Sequence, residues 1–504
     1  MSRNLFPTRP GARLTGLLLA GVLDVWPARP SLVVAEDSAA VPEARRTETV
    51  RLIDRCLPAV VSIFAQVAGA DGKVESRVGS GTIIHPAGFV LTNEHVVRDF
   101  RDGAVVLSDG RMLPMRVIAK FVHDDLAIVQ VKNNTPLPTL VLGRSHDVLL
   151  GEPTLVIGSP GGLVHSVSTG IVSGVNRSTR NESNFLPWMI QTSAAVSRGN
   201  SGGPLINAVG EQIGVMATIG NDLQNVSFAI AIDHVREVLP KMLAMEQRHG
   251  IWLGADCDPL AAAAFVSSIE AESPAARAGL QAGDELIRVG ELELFRGVDL
   301  QFALLGHRAG EKLAVVYRRE GKESATTVTL GELPLDEPLA DVELEPGLQW
   351  AMYRGEWSEL PKFAELAPER TGHCTDLKPG SIGAEDENVG IRWSGLIKIP
   401  ADDLYAFYTT SDDGSRLWIG ERLVVDNDGL HPARENGGLI RLRKGLHPLR
   451  IEYFERSGAE FMEVAWEAAN MPKRRLDGDV LFSPPEDEPA DADKSDEKPA
   501  DEAK

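Results

Sequence analysis

The segment Gly199-Asn200-Ser201-Gly202-Gly203-Pro204-Leu205 constrains this chain more than any other. A serine set between small residues directly before a β-type run can act as a nucleophile. Gly199 reaches backbone conformations that other residues resist, so its N–H and that of Ser201 can converge on one small hollow. Such a hollow stabilises an oxyanion. A plain Gly-rich turn has the same composition, so the partners of Ser201 decide between the two readings.

A serine hydroxyl is a weak nucleophile, which needs a general base, and the base needs an orienting carboxylate. Upstream, Val90-Leu91-Thr92-Asn93-Glu94-His95-Val96-Val97 puts a histidine at the end of an apolar strand. His123-Asp124-Asp125-Leu126-Ala127-Ile128-Val129 puts an aspartate at the start of another. The order His, Asp, Ser is that of the chymotrypsin triad. These segments resemble the HtrA (Deg) family of trypsin-like serine proteases, whose motifs read TNxHVV, (S/D)DLA(V/I) and GNSGGPL. The resemblance implies His95 as base, Asp125 as orienter and Ser201 as nucleophile, with an oxyanion hole at Gly199, Asn200 and Ser201. His85, His123, His146 and His165 lie in the same domain, where each reads as a surface or turn residue. Asp124 is the rival to Asp125.

Between residues 47 and 248, short apolar and alternating runs follow one another at close spacing, which predicts an all-β domain. The resemblance makes it a chymotrypsin-like double β-barrel, closed by a helix from Asp233 to Gln247. Ala194, Ala195 and Val196, with Val215, Met216 and Ala217, are expected to line the pocket for the side chain before the cut bond. None is acidic, and a buried cation without its counter-charge costs several kcal/mol, so small or medium apolar side chains are expected there. Ser193 and Arg198 stand where the family commonly has aspartate and proline. Loss of the aspartate implies a looser loop and low resting activity.

Residues 249–332 resemble the PDZ domain that follows the protease in this family. Ser273 caps, Pro274 starts and Gly279 ends one short helix, and Val298 to His307 supplies a second. A PDZ groove takes a peptide C-terminus as an added strand, here along Trp252, Leu253 and Gly254. Residues 333–346 are rich in Pro, Glu and Asp and read as a linker. Residues 347–483 resemble the PA14 β-sandwich, some members of which bind carbohydrate, a few through calcium held by adjacent aspartates. Asp412 and Asp413 match that pair, and hard oxygen ligands suit calcium. Ser-Asp-Asp-Gly makes a sound turn as well, so both readings stay open.

The 504 residues suffice for three ordinary domains. A formal net charge of −21 argues against nucleic acid as a partner. The three cysteines are too few and too scattered for a disulfide framework. Residues 1–46 carry Arg3, Arg9 and Arg13, then the apolar run Leu14 to Leu23, then Val33-Val34-Ala35. This reads as a signal peptide with a flexible N-terminus, or as an uncleaved anchor. Residues 484–504 alternate Pro, Ala, Asp, Glu and Lys, which cannot bury a core. The expectation is an extracytoplasmic serine endopeptidase acting on unfolded or damaged polypeptides. It requires no cofactor, takes peptide C-termini at the PDZ and carbohydrate at the PA14, and forms a homo-oligomer, a trimer by family resemblance. A non-catalytic chaperone or scaffold is the alternative.

Overall fold

The computed structural model describes residues 43–484, apart from 70–72, 160–164, 181–184, 218–224, 341–342, 385–386 and 459–460. The expected signal segment and most of the acidic tail lie outside the described residues. The chain is mainly β. Strands β1 (Val60–Ala68), β2 (Val74–His85), β3 (Phe89–Thr92), β4 (Phe100–Val106), β5 (Met112–Phe121) and β6 (Leu126–Val131) close one barrel in the order β1-β2-β3-β6-β5-β4. Strands β7 (Pro153–Gly158), β8 (Ser166–Arg180), β9 (Phe185–Thr192), β10 (Pro204–Ile206), β11 (Gln212–Ala217) and β12 (Ser227–Ala231) close a second, ordered β10-β11-β12-β9-β8-β7. Helix α1 (Glu48–Cys56), capped by the Thr47 side chain on Val50 N–H, packs Leu52 and Cys56 against the second barrel. The one-turn helix α2 (Glu94–Val97) follows β3.

The closing helix differs from its expectation. Instead of one helix from Asp233, α3 spans Ile232–Leu243 and α4 spans Met245–His249, separated by Ala244 at φ 38° and ψ 50°. The Met245 N–H freed by this break is taken by Gln301 Oε1 at 2.9 Å. The N-cap of α3 is Ala231, and Asp233 follows it. It lies in the first turn, accepting the N–H groups of Ser145 and His146 and bonding the His146 ring.

The next domain contains β13 (Ile251–Trp252), β14 (Ala255–Cys257), β15 (Val266–Ile269), helix α5 (Pro274–Arg277) and helix α6 (Asp299–Leu304). Ser273 caps α5 by accepting the Ala276 N–H at 3.1 Å. This domain does not hang free: one apolar cluster runs from Phe89 and Leu126 in the first barrel and Val235 on α3 to Leu286, Phe302 and Val328. Phe302 stacks on Phe89 with ring centroids 4.0 Å apart. His85 packs beside them with Nε2 against the Glu293 carbonyl. It is a buried interface group rather than a turn residue, and burial lowers its pKa.

The described part of the linker, residues 333–340 and 343–346, lies as a strap along the domain that follows. Asp336 and Leu339 bridge to Leu442 and Leu446, and Glu345–Pro346 pairs with Leu481–Ser483. Beyond it, an eight-stranded sheet faces a four-stranded one. Trp393, Tyr405, Tyr453 and Trp466 are buried in the core between them.

Candidate active site

His95 stands on α2, held at the barrel junction by the residues before it. Val96 and Val97 are buried in the first barrel, and Glu94, itself buried, pairs with Arg98. The rest of the anchoring comes from Asp125, in the turn directly before β6. Its carbonyl accepts the Asn93 side-chain amide at 2.8 Å and the Glu94 N–H at 3.1 Å. Its carboxylate faces the imidazole with both oxygens, at 2.9 and 2.8 Å from His95 Nδ1, and also takes the His95 backbone N–H at 3.0 Å. Asp125 is 2% exposed and sits at φ +51°, in the left-handed region that aspartate tolerates better than most residues. Asp124 points elsewhere, to His234 on α3, where the charges of His234, His123 and Arg434 outweigh burial and lower its pKa.

Ser201 lies in the loop between β9 and β10. That loop is bound to the second barrel through Gly202 N–H to the Met216 carbonyl and Met216 N–H to the Gly203 carbonyl, both at 2.8 Å. From the first barrel it is gripped by Ser80. The Ser80 N–H donates to the Ser201 carbonyl at 2.8 Å, and its hydroxyl donates to the Gly199 carbonyl at 2.7 Å. The same hydroxyl accepts the Ser159 N–H at 3.0 Å. A side chain at Gly79 would not fit: a Cβ there would lie 2.6 Å from Val96 of α2 and 3.3 Å from the Ser201 carbonyl. The histidine helix and the serine loop therefore flank one strand at its closest approach. Ser80 escaped the motif reading, although the triplet Gly79-Ser80-Gly81 inside an apolar strand was a visible signal of close backbone approach.

Gly199 takes φ +104°, which glycine alone adopts without strain. Of the three residues expected at the oxyanion hole, Asn200 spends its N–H on the Ser197 carbonyl at 3.0 Å. Beside the loop lies a cavity of about 240 Å³, lined among the described residues by Ser166 to Ser168, Ala195 to Ser197 and Asn200, none of them charged. Of the residues expected at the pocket, Ala195 and Val196 are in its lining. Ala194, Val215, Met216 and Ala217 are not: Ala194 and Met216 pack in the second barrel's core, and Val215 and Ala217 face the apolar cluster shared with α3, all at exposures of 3% or less. Ser193 is tied rather than loose. Its hydroxyl accepts the Ile171 N–H at 3.1 Å, and its N–H donates to the Ile171 carbonyl at 3.1 Å.

In the PDZ-like domain, the N–H groups of Leu253 and Gly254 both point at one oxygen of Glu246, and the Trp252 indole donates to Glu270. In the sandwich, Asp413 accepts the His431 N–H on Oδ1 and the Arg456 N–H on Oδ2, at 3.2 and 2.8 Å. Its carboxylate thus serves the turn. No cluster of three or more acidic, histidine or cysteine side chains suited to a metal occurs among the described residues.

Comparison with known proteins finds three family matches along the chain. Residues 79–215 match a trypsin-like peptidase domain, 251–330 a PDZ domain and 344–477 a PA14 domain. A Pseudomonas fluorescens protein named "Probable periplasmic serine endoprotease DegP-like" is 31% identical over 62% of this chain and 70% of its own length. The chain belongs to the DegP-like HtrA family. A relative of the same name from Pseudomonas savastanoi pv. phaseolicola is 35% identical over 51% of this chain, and the chain spans 56% of that relative's length. A solved HtrA-type protease, AlgW with tripeptide, is 29% identical over 57% of this chain and 98% of its own. Its TM-score of 0.36 is too low to weigh in the assignment. The PA14 match lies outside the trypsin-like and PDZ matches, at the far end of the chain.

Proposed function

We propose that this HtrA-family member is a serine endopeptidase in which Ser201, His95 and Asp125 form the catalytic triad. One observation carries the reading: the His95 ring is held at Nδ1 by both oxygens of a buried carboxylate, while Gly79 and Ser80 hold the Ser201 loop on the strand that α2 also packs against. A ring so held keeps its proton on Nδ1 and turns Nε2 outward as the base. Ser201 Oγ attacks the scissile carbonyl as His95 takes its proton. The amides of Gly199 and Ser201 receive the developing oxyanion, and the imidazolium returns the proton to the leaving amine. Water then releases the acyl-enzyme by the same route. The uncharged cavity at Ala195 favours a small or medium apolar side chain before the cut bond.

The substrates are unfolded or damaged polypeptides outside the cytoplasm. The named relatives, called periplasmic, and the basic-then-apolar start of the sequence support that location. The PA14 sandwich is the candidate carbohydrate-binding module, a reading supported by family membership alone. The deciding experiment is cleavage of reduced, unfolded casein by the full chain beside Ser201→Ala. Cleavage lost in the variant, with melting temperature unchanged, is the expected result. Binding of casein without cleavage under all conditions overturns the peptidase reading in favour of a scaffold.

A further inference from the structure

Glu246 lies on α4, just ahead of the PDZ domain. Its Oε1 accepts the backbone N–H of Leu253 at 2.6 Å and of Gly254 at 3.0 Å. Two successive amides aimed at one oxygen make an anion nest. In a PDZ fold, a nest at this place receives the terminal carboxylate of a bound peptide. Strand β14, which follows the nest, pairs with β15 along one edge and with no other strand among the described residues. A peptide would add along its second edge. That edge is short: at its far end Gly297 backs onto Asp258, and a Cβ on Gly297 would lie 2.2 Å from the Asp258 carbonyl oxygen. With so few residues to pair against, the carboxylate end must carry most of the recognition.

The loop is also fixed from behind. Ser273 Oγ donates to the Gly254 carbonyl at 3.3 Å, and the Ala275 N–H donates to the Leu253 carbonyl at 2.9 Å. The nest is therefore built and oriented, and it already holds a carboxylate. The break at Ala244 redirects the chain before α4 and brings that carboxylate to the loop. Burial pushes the Glu246 carboxyl above its ordinary range despite the two amide bonds, with Asp256 and Glu270 adding to the rise. A carboxylate that has given up solvation at this site can be exchanged for another.

We infer that Glu246 is a built-in occupant of the PDZ carboxylate nest, and that a peptide C-terminus binds this domain only by displacing it. This goes beyond the peptidase reading and stands independently of it, because it is read by binding rather than by cleavage. Apparent affinity for a free C-terminus falls by the fraction of molecules in which the nest is open.

The test is fluorescence anisotropy of labelled decapeptides ending in Val, Leu or Phe, each as free acid and as C-terminal amide, on the full chain, Glu246→Ala and Glu246→Gln. Glu246→Ala should bind the free acids about tenfold or more tighter than the native chain and gain nothing for the amides. Glu246→Gln, which keeps a neutral acceptor in place, should fall between them. Hydrogen exchange at Leu253 and Gly254 should quicken in Glu246→Ala and slow again when the free-acid peptide is added. Equal affinity of native chain and variants, equal gain for amidated peptides, or absence of binding by every form would each overturn the inference. Glu246 would then be a structural cap on the loop. Should Glu246→Ala fail to fold, the comparison of Glu246→Gln with the native chain decides alone.

Discussion

Asp125 carries three tasks on one residue. Its carbonyl fixes Asn93 and Glu94, one carboxylate oxygen takes the His95 N–H, and both oxygens face the ring. The substitution Asp125→Asn would preserve the shape and most of the backbone contacts, but the amide nitrogen cannot accept the Nδ1 proton. A fraction of the rings would adopt the opposite tautomer, with Nε2 protonated and useless as a base. In the chymotrypsin triad the same change lowers kcat about 10⁴-fold, and a loss of roughly that order is expected here, with the melting temperature shifted by only a few degrees. Steady-state rates on an unfolded substrate beside thermal denaturation provide the check. Activity within tenfold of native would mean that His95 does not depend on Asp125 for its tautomer. The contact of His95 with Asp125 was legible because both motifs are local. Ser80 was harder to see, since its role is contact with a loop more than a hundred residues away.

At the scale of elements, α6 and β3 form the joint between the PDZ domain and the first barrel. Phe302 lies flat on Phe89, with ring planes 11° apart, and His85 closes one side. Arg296 reaches the Ile84 carbonyl, and Arg236 of α3 binds the carbonyls of Pro259, Leu260 and Ala261. Truncating a buried phenylalanine costs about 3–5 kcal/mol. Phe302→Ala should therefore loosen the joint, turning a shared calorimetric transition into two, with the PDZ domain melting first. A single transition merely shifted to lower temperature would show that the remaining contacts keep the two domains cooperative. The strands and both PDZ helices were readable from periodicity and caps, because those signals lie within a dozen residues. This joint was not. Its members are spread from Ile84 to Phe302, each an ordinary apolar or basic residue, and nothing local tells a surface that will meet solvent from one that will meet another domain. The break at Ala244 was hidden for the same reason: what stabilises it is Gln301, far along the chain.

At the scale of the whole molecule, the PA14 sandwich is seated on the protease rather than tethered to it. Arg441 donates to the Gln247 carbonyl at 3.3 Å, the strap lies along the sandwich at Asp336 and Leu339, and a crevice of about 1390 Å³ runs between the two bodies. A polar contact also crosses between them. Glu435 of the sandwich faces His123 of the protease at 3.2 Å and pairs with Lys473 of its own domain. Burial alone would raise the Glu435 carboxyl, but His123 and Lys473 more than offset it and hold the group at about 2. A carboxyl depressed in the folded state stabilises above its unfolded value, and that contribution disappears as pH falls through the folded value. The window is thus from about pH 4.5 down to about pH 2. Glu435→Gln should lower stability by up to about 3 kcal/mol above that window, and the difference from the native chain should shrink steadily within it. Calorimetry of both proteins between pH 2.5 and pH 6 measures that difference directly, with the other carboxylates cancelling in the comparison. A gap independent of pH would mean that Glu435 contributes through packing, and that the sandwich is held on the protease by Arg441 and the strap instead of by charge.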